Sequence, residues 1–469
     1  LTVPELTPTS TRTSPFLSRL PVDGVGWWII VLACSALTAK LTMTSIQLGC
    51  AAALVILTLG LYAYNRTAGL VAMWAIWLVA PGLRRVFFLS SPIIDTDPLA
   101  LAPFLATALL AGIEITQGSI SKRARRILYL VLAGYLIGMP FGLLKSPPAS
   151  AFAFFAYLTA AGCFVIGYRD GGNGRKMVLP TVLMAFVPLL ALYAFRQYFL
   201  TLPQWDEVWF KTAEINSAGS PDAGRIRVWS TLNSPGTFGL VCSVATIAFV
   251  SVRRLTPAHV AGALFVIGAL ALTYARSAWA GLVFAILVIA LVSRGAALKR
   301  VLVLGALLVV AAPIAFSGSA GAALTDRVST FGTLGSDESA QARQTTPLQL
   351  LPVAVAQPLG LGVGQAGEAT RLQGTGFRYT DNGYLSLMFQ VGPFGFLLVM
   401  TAFAMTLRSA WRSARRRPNH TDILACGMLA FFFLTLFAGD QLYGVLGMFL
   451  WYAGGVAVRR DEIKEAAPQ

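Results

Sequence analysis

The chain reads as an all-α, polytopic membrane protein. It is a helical bundle of about 12–14 transmembrane spans, with both termini cytoplasmic and two long segments outside. Three observations carry this reading. Charged residues are 12% of the 469 residues and hydrophobic residues 56%, with a mean hydropathy of +0.69. A soluble domain carries about 25% charged residues, so a soluble enzyme, a disordered chain and a nucleic-acid-binding domain are excluded. Apolar runs of about 20 residues recur, enough to cross roughly 30 Å of hydrocarbon. The period-two alternation of a membrane barrel is absent.

In chain order, residues 1–24 are polar and rich in Pro, Thr and Ser, and read as a disordered cytoplasmic tail. N-terminal transmembrane helices occupy 25–199, with spans near 25–43, 44–64, 69–89, 99–118, 127–144, 150–168 and 177–199. A first outer loop covers 200–232. Central spans fall near 233–252, 257–275, 277–293 and 301–316, within a block 233–316. A large outer loop, 317–380, holds an apolar piece from Pro347 to Pro358 suited to a short helix on the membrane surface. The C-terminal block, 381–458, has spans near 382–406, 421–438 and 441–458, and 459–469 form a second cytoplasmic tail.

Lys+Arg 36 against Asp+Glu 20 gives a net charge of +16. The excess lies in connectors, as the positive-inside rule requires, and does not call for nucleic acid. The clusters are Lys122-Arg123-Ala124-Arg125-Arg126, Arg169 with Arg175-Lys176, Arg253-Arg254, Arg294 with Lys299-Arg300, Arg408 through Arg417, and Arg459-Arg460. Even numbers of spans separate them, so all fall on one side. The five cysteines (Cys34, Cys50, Cys163, Cys242, Cys426) sit in apolar runs and read as core residues.

Charges on the opposite side carry the functional signal. Arg84 and Arg85 close the third span, where they either bind an anion or snorkel to headgroups. Arg225 and Arg227 end the first loop. Arg327, Arg343, Arg371 and Arg378 lie in the second, and Arg225, Arg327, Arg371 and Arg378 are either ligand contacts or solvated charges. Arg276 stands between two apolar spans in Thr273-Tyr274-Ala275-Arg276-Ser277, a costly place for a charge that is not used. Arginine binds phosphate through a planar fork, so the set suggests a diphosphate ligand. Asp381, in Thr380-Asp381-Asn382-Gly383-Tyr384-Leu385, reads as a helix N-cap, a general base, or both. Asp206, Glu207, Glu214, Asp337 and Glu338 read as solvated loop charges. His259 and His420 fall in basic connectors, leaving no outer histidine. Gly360-Leu361-Gly362-Val363-Gly364 follows no strand and reads as a tight turn rather than a nucleotide loop.

Four outer segments occur in order: Arg225-Ile226-Arg227 with Asn233-Ser234-Pro235-Gly236-Thr237-Phe238-Gly239; Leu272 to Ser277; Arg343 followed by Pro358 to Gly364; and Asp381 to Leu385 with Gly392 and Gly395. The set, spread over roughly 180–440, resembles the O-antigen ligase and Wzy polysaccharide polymerase superfamily of integral membrane glycosyltransferases, of GT-C type. The resemblance implies a GT-C-like fold and a glycan donor on undecaprenyl diphosphate at the periplasmic face of the bacterial inner membrane. It implies a sugar-hydroxyl acceptor and neither metal nor cofactor. It further implies that Arg276, Arg343 and Arg227 (or Arg225) hold the diphosphate; Asn233, Arg84 and Arg85 are further substrate-binding candidates beside that set. Asp381 would be the base or the acceptor-orienting group, and Asn382 and Tyr384 would position sugar hydroxyls, although Tyr384 also suits an interface anchor. Ligases carry a histidine where Asp381 stands, so the pattern leans towards an exopolysaccharide or capsule polymerase. A ligase acting on lipid A core or protein is the alternative, and a transporter or flippase the alternative from another class. For transport, Lys40 and Glu114 are the nearest candidates for intramembrane charges. Implied partners are the lipid-linked donor and acceptor, the bilayer, a flippase and a chain-length regulator.

Overall fold

The structure, a computed structural model, is described over residues 45–87, 98–172, 177–212, 218–252, 254–293, 349–373, 381–416 and 418–466. The tail 1–24, the spans near 25–43 and 301–316, Lys40, Glu214, Arg327, Asp337, Glu338, Arg343 and Arg378 lie outside the described residues, as does the side chain of Arg371.

Twelve of the expected spans fall in the described residues, and each is helical. They are α1 (Ser45–Tyr64), α2 (Arg66–Phe87), α3 (Pro98–Thr116), α4 (Lys122–Lys145), α5 (Pro147–Gly172) and α6 (Val178–Phe199), then, after a short α7 (Gln204–Thr212), α8 (Pro235–Ser251), α9 (Pro257–Leu272) and α10 (Arg276–Val292), and finally α11 (Gly383–Arg415), α12 (His420–Thr435) and α13 (Gly444–Ala466). Among the described residues eight helices are long and apolar enough to cross a membrane, and α8 to α10 are shorter apolar helices. Among the described residues there is one isolated antiparallel bridge, Gly219 to Ile226, and no strand. This is a multi-pass helical membrane protein.

Helix starts follow the local sequence. Ser121 Oγ accepts from Ala124 N at α4, and Ser234 Oγ accepts from Thr237 N at α8, whose first residue is Pro235. Thr256 with His259, and Asn419 with Asp422, form reciprocal capping boxes at α9 and α12. His259 is thereby engaged at the start of α9, and His420 is the first residue of α12.

The centre of the bundle is α5, buried over nearly its whole length against α13. Glycines permit this approach: neither Gly167 against the Tyr452 carbonyl nor Gly455 against the Phe164 carbonyl leaves room for a Cβ.

The two ends of the bundle differ. At one, carboxylates neutralise the basic clusters. Arg66 pairs with Glu114 at 2.6 Å and Asp170 at 2.7 Å, Arg169 with Glu114 at 3.0 Å, and Arg123 with Asp461 at 3.0 Å and Glu465 at 2.8 Å. Asp422 is held by Lys464 at 2.6 Å and Arg460 at 3.2 Å. Glu114, the described candidate for a transport charge, is thus fully buried in an ion-pair network beside Arg66 and Arg169.

Candidate functional site

The opposite end gathers the starts of α8, α10 and α11, the ends of α2, α4, α6, α9 and α12, and the loops between them. Its first part is built by the loop after α6. The expectation that Asp206 is a solvated loop charge is corrected: it is completely buried. It accepts from Tyr193 Oη and Gln197 Nε2, both at 2.7 Å, and its Oδ1 lies 3.2 Å from Arg85 Nε, off the hydrogen-bonding line. Burying a carboxylate is costly unless it is paired and hydrogen-bonded, and these partners offset that cost. Glu207 is half-buried and pairs with Lys211 at 2.6 Å along α7, so it is a helix-surface charge rather than a loop charge.

Arg85 donates through Nη1 to Leu232 O at 2.8 Å and through Nη2 to Ser230 O. Ser230 has φ 55°, a left-handed conformation costing about 1–3 kcal/mol in a non-glycine residue. It is held by Gln197 Oε1 on its N–H (2.7 Å) and by its own Oγ donating to Leu190 O (2.6 Å). Arg85 therefore clamps the segment that delivers Asn233 to the start of α8. Arg84 is also buried, its guanidinium 5.5 Å from the Trp209 ring centroid. Asn233 Oδ1 is buried, and no donor reaches it among the described residues.

The second part is the turn from α9 into α10. Tyr274 has φ 51°, and its phenol lies 3.3 Å from that of Tyr198. Burial, then the Tyr198 contact, pushes the Tyr274 phenol well above the usual tyrosine range, so it stays protonated. Arg227 splints this turn, donating from Nε to Thr273 O at 3.0 Å and from Nη2 to Tyr274 O at 3.3 Å. Arg225, two residues earlier, is exposed while Ile226 is buried. The turn puts Arg276 at the first position of α10, 9% exposed. Gly239 of α8 packs on Thr273 and Ala275, so the Asn233 and Arg276 segments adjoin.

The third part is the start of α11. The N-cap expected of Asp381 belongs to Asn382, whose Oδ1 accepts from Leu385 N at 3.0 Å. The Asp381 carboxylate is therefore not the cap, and it is half-buried. Tyr384 spends its hydroxyl on Phe433 O at 2.7 Å and packs on Phe437. Gly383 abuts Gly439 O and Leu436, and Gly281 of α10 abuts Thr435. The α12–α13 hinge thus lies between the Arg276 and Asp381 segments and joins them.

That hinge holds Asp440, which the sequence reading missed. Its Oδ2 accepts from Tyr157 Oη at 2.9 Å and Ser386 Oγ at 2.8 Å, and Leu442 N donates to Oδ1 at 3.2 Å. Gln390 Nε2 donates to Tyr157 Oη at 2.8 Å, and Gln390 Oε1 accepts from Gly364 N at 3.0 Å. The logic applied to Arg276, a charge in a short outer junction between apolar spans, would have found it.

The glycine-rich segment is more than a turn. Helix α11 breaks at Gly392 (φ 67°, ψ 175°) before Pro393, leaving Phe389 O and Gln390 O without helical partners. Leu361 N and Gly362 N donate to them at 2.6 and 3.2 Å, and Val363 N donates to Gly138 O of α4 at 3.1 Å. Gly360, Gly362 and Gly364 all have positive φ and meet backbone where a Cβ would stand. The segment is threaded between α4 and α11, and the Gly364–Gln390 bond ties it to Asp440. Preceding it, residues 349–355 are helical, with Leu351, Val353 and Val355 exposed.

One end of the bundle thus combines a desolvated arginine on a splinted turn, two acidic residues around a helix start, and a backbone segment locked beside them. Residues 261–400 match the family model described as O-antigen ligase. The match runs from α9 through α11 and takes in the Arg276 turn, the glycine segment and Asp381–Leu385. It supports a glycosyltransferase of the O-antigen ligase and polymerase kind. No curated protein matches the chain.

Proposed function

We propose that the chain is a Wzy-type polymerase. It would transfer a glycan from undecaprenyl diphosphate to a hydroxyl of another lipid-linked repeat, with inversion, at the periplasmic face of the inner membrane. The observation that carries this reading is the placing of the Arg276 turn and the Asp381 helix start at one end, joined through the Thr435–Asp440 hinge. A diphosphate gains charge as the glycosidic C–O bond breaks, and a preorganised arginine stabilises that charge. Asp381 takes the proton of the incoming hydroxyl, which attacks from the opposite face of the sugar. Arg343 is assigned with Arg276 to the leaving group. Asn233 and Asn382 are assigned to sugar hydroxyls, and Arg225 to the outer donor contact. Arg227, Arg84 and Arg85 act through the turn and loop they hold. The donor, the acceptor, a flippase and a chain-length regulator are the proposed partners.

The family description favours a second reading, a ligase transferring the glycan to lipid A core. Against it, the two histidines lie in the first turns of α9 and α12, at the other end. Purified protein given only lipid-linked repeats decides between them. A ladder of oligomers supports the polymerase. Transfer solely after adding lipid A core overturns it in favour of the ligase, and no transfer under either condition overturns both.

A further inference from the structure

The side chain of Gln390 is 1% exposed and uses both ends of its amide. Gly364 N donates to Gln390 Oε1 at 3.0 Å. A backbone N–H can only donate, so the amide oxygen must face Gly364 and the NH2 must face the other way. That NH2 donates to Tyr157 Oη at 2.8 Å and reaches Ser386 Oγ at 3.3 Å. Each hydroxyl, with an amide proton on its oxygen, turns its own single proton to Asp440 Oδ2, from Tyr157 at 2.9 Å and from Ser386 at 2.8 Å. Turning the amide over would set its NH2 against the Gly364 N–H and take the donor from both hydroxyls. The chain from Gly364 through Gln390 to Asp440 therefore runs in one direction.

The rest of the packing holds this direction. The Tyr157 ring stacks on Tyr135, centroids 4.5 Å apart, and meets the Tyr443 ring edge-on at 5.4 Å. An amide inside a membrane span is costly, and an apolar residue would join α11 to α5 without it. What the amide adds is the aim of two protons at one carboxylate. Hydrogen bonds to a charged carboxylate are stronger than neutral ones, and donors on its oxygen favour the ionised form. Asp440 is half-buried, and its backbone packs on Gly383, two residues from Asp381. A Cβ at Gly367 would stand 3.8 Å from both Asp440 Oδ2 and Ser386 Oγ, so the glycine segment also passes over this carboxylate.

We propose that Gln390 is a positioning residue for glycosyl transfer. By aiming the Tyr157 and Ser386 protons at Asp440, it fixes an anionic carboxylate that holds a sugar hydroxyl of the acceptor beside the Asp381 helix start. Seating of the glycine segment on Gln390 is part of the same device, because the Gly364 N–H sets the amide. The inference rests on the glycosyl-transfer reading above.

The test follows undecaprenyl diphosphate release and glycan product from the purified full chain in detergent, over a range of lipid-linked repeat concentrations. A misdirected acceptor slows the bound complex more than it weakens binding, so Gln390→Met and Tyr157→Phe should each lower kcat about tenfold and leave KM within about twofold. The double variant should be no slower than the slower single one, because the amide acts through the hydroxyl. Tyr157→Phe leaves the Gly364 bond in place, so it decides the matter alone if Gln390→Met does not fold. Tyr135→Phe removes the neighbouring hydroxyl, which has no hydrogen-bond partner, and keeps the ring stack, so it should turn over at the wild-type rate. Wild-type kcat in Tyr157→Phe, losses that multiply in the double variant, or an equal loss in Tyr135→Phe overturns the positioning role while the transfer reading stands. A wild type that makes no product overturns the transfer reading, and this inference with it.

Discussion

The arginines at the functional end divide by what their guanidinium groups touch. Arg85 and Arg227 grip backbone carbonyls of the segments leading to Asn233 and Arg276. Breaking a buried pair by removing one partner costs about 3–5 kcal/mol. Arg85→Ala and Asp206→Ala should therefore each lower thermal stability by that order, and the double variant by much less than their sum. Thermal unfolding in detergent reads this directly, and additive losses would break the assigned pairing. Asp440 receives hydroxyls from Tyr157 and Ser386 on one carboxylate oxygen. Asp440→Asn puts an amide donor among those hydroxyls and should cost about 1–2 kcal/mol, discounted for partial exposure. Asp381 and Arg276 were legible as isolated charges in apolar surroundings. Asp206 was not, because its burial depends on Arg85, far away in sequence, and composition shows only an acidic residue in a polar loop.

At the scale of elements, hydropathy located the helices because each must bury or satisfy its backbone within the hydrocarbon. It could not show that the second outer loop returns into the bundle. Gly360, Gly362 and Gly364 announce unusual φ values but not the slot between α4 and α11 that receives them. The break at Gly392 frees the carbonyls that the returning segment uses, so the two motifs are halves of one device. Gly362→Ala should lose several kcal/mol and folded yield, since the added Cβ meets the Gly142 backbone. Gly444 also has positive φ (63°) but open space around it, so Gly444→Ala should cost only about 1 kcal/mol. Comparable losses at both sites would show that φ alone, rather than the slot, governs the glycines.

For the whole molecule, charge asymmetry separates the two ends of the bundle. Ion pairs lace one end, and the other holds Arg276, Asp381 and Asp440. The positive-inside rule predicts that the laced end faces the cytoplasm. A thiol at Asp222, exposed in the loop before Arg225, should react with an impermeant maleimide in intact cells, and one at Glu465 only after permeabilisation. The reverse pattern would move the site to the cytoplasmic face and remove the proposed donor from reach. The bundle was legible in the sequence because span length and loop charge are one-dimensional signals. The joining of Arg276 to Asp381 through the Thr435–Asp440 hinge was not, because it is a product of packing.

On the proposed function, this end of the bundle transfers glycan from a lipid diphosphate. The most direct measurement follows undecaprenyl diphosphate release and glycan product together, for the wild type, Arg276→Lys and Asp381→Asn, with lipid-linked repeats. Arg276→Lys keeps the charge but loses the fork, and should slow both signals about 100-fold. Asp381→Asn should do at least the same while still binding donor. Wild-type rates in both variants, with product still forming, would place the chemistry elsewhere in the molecule.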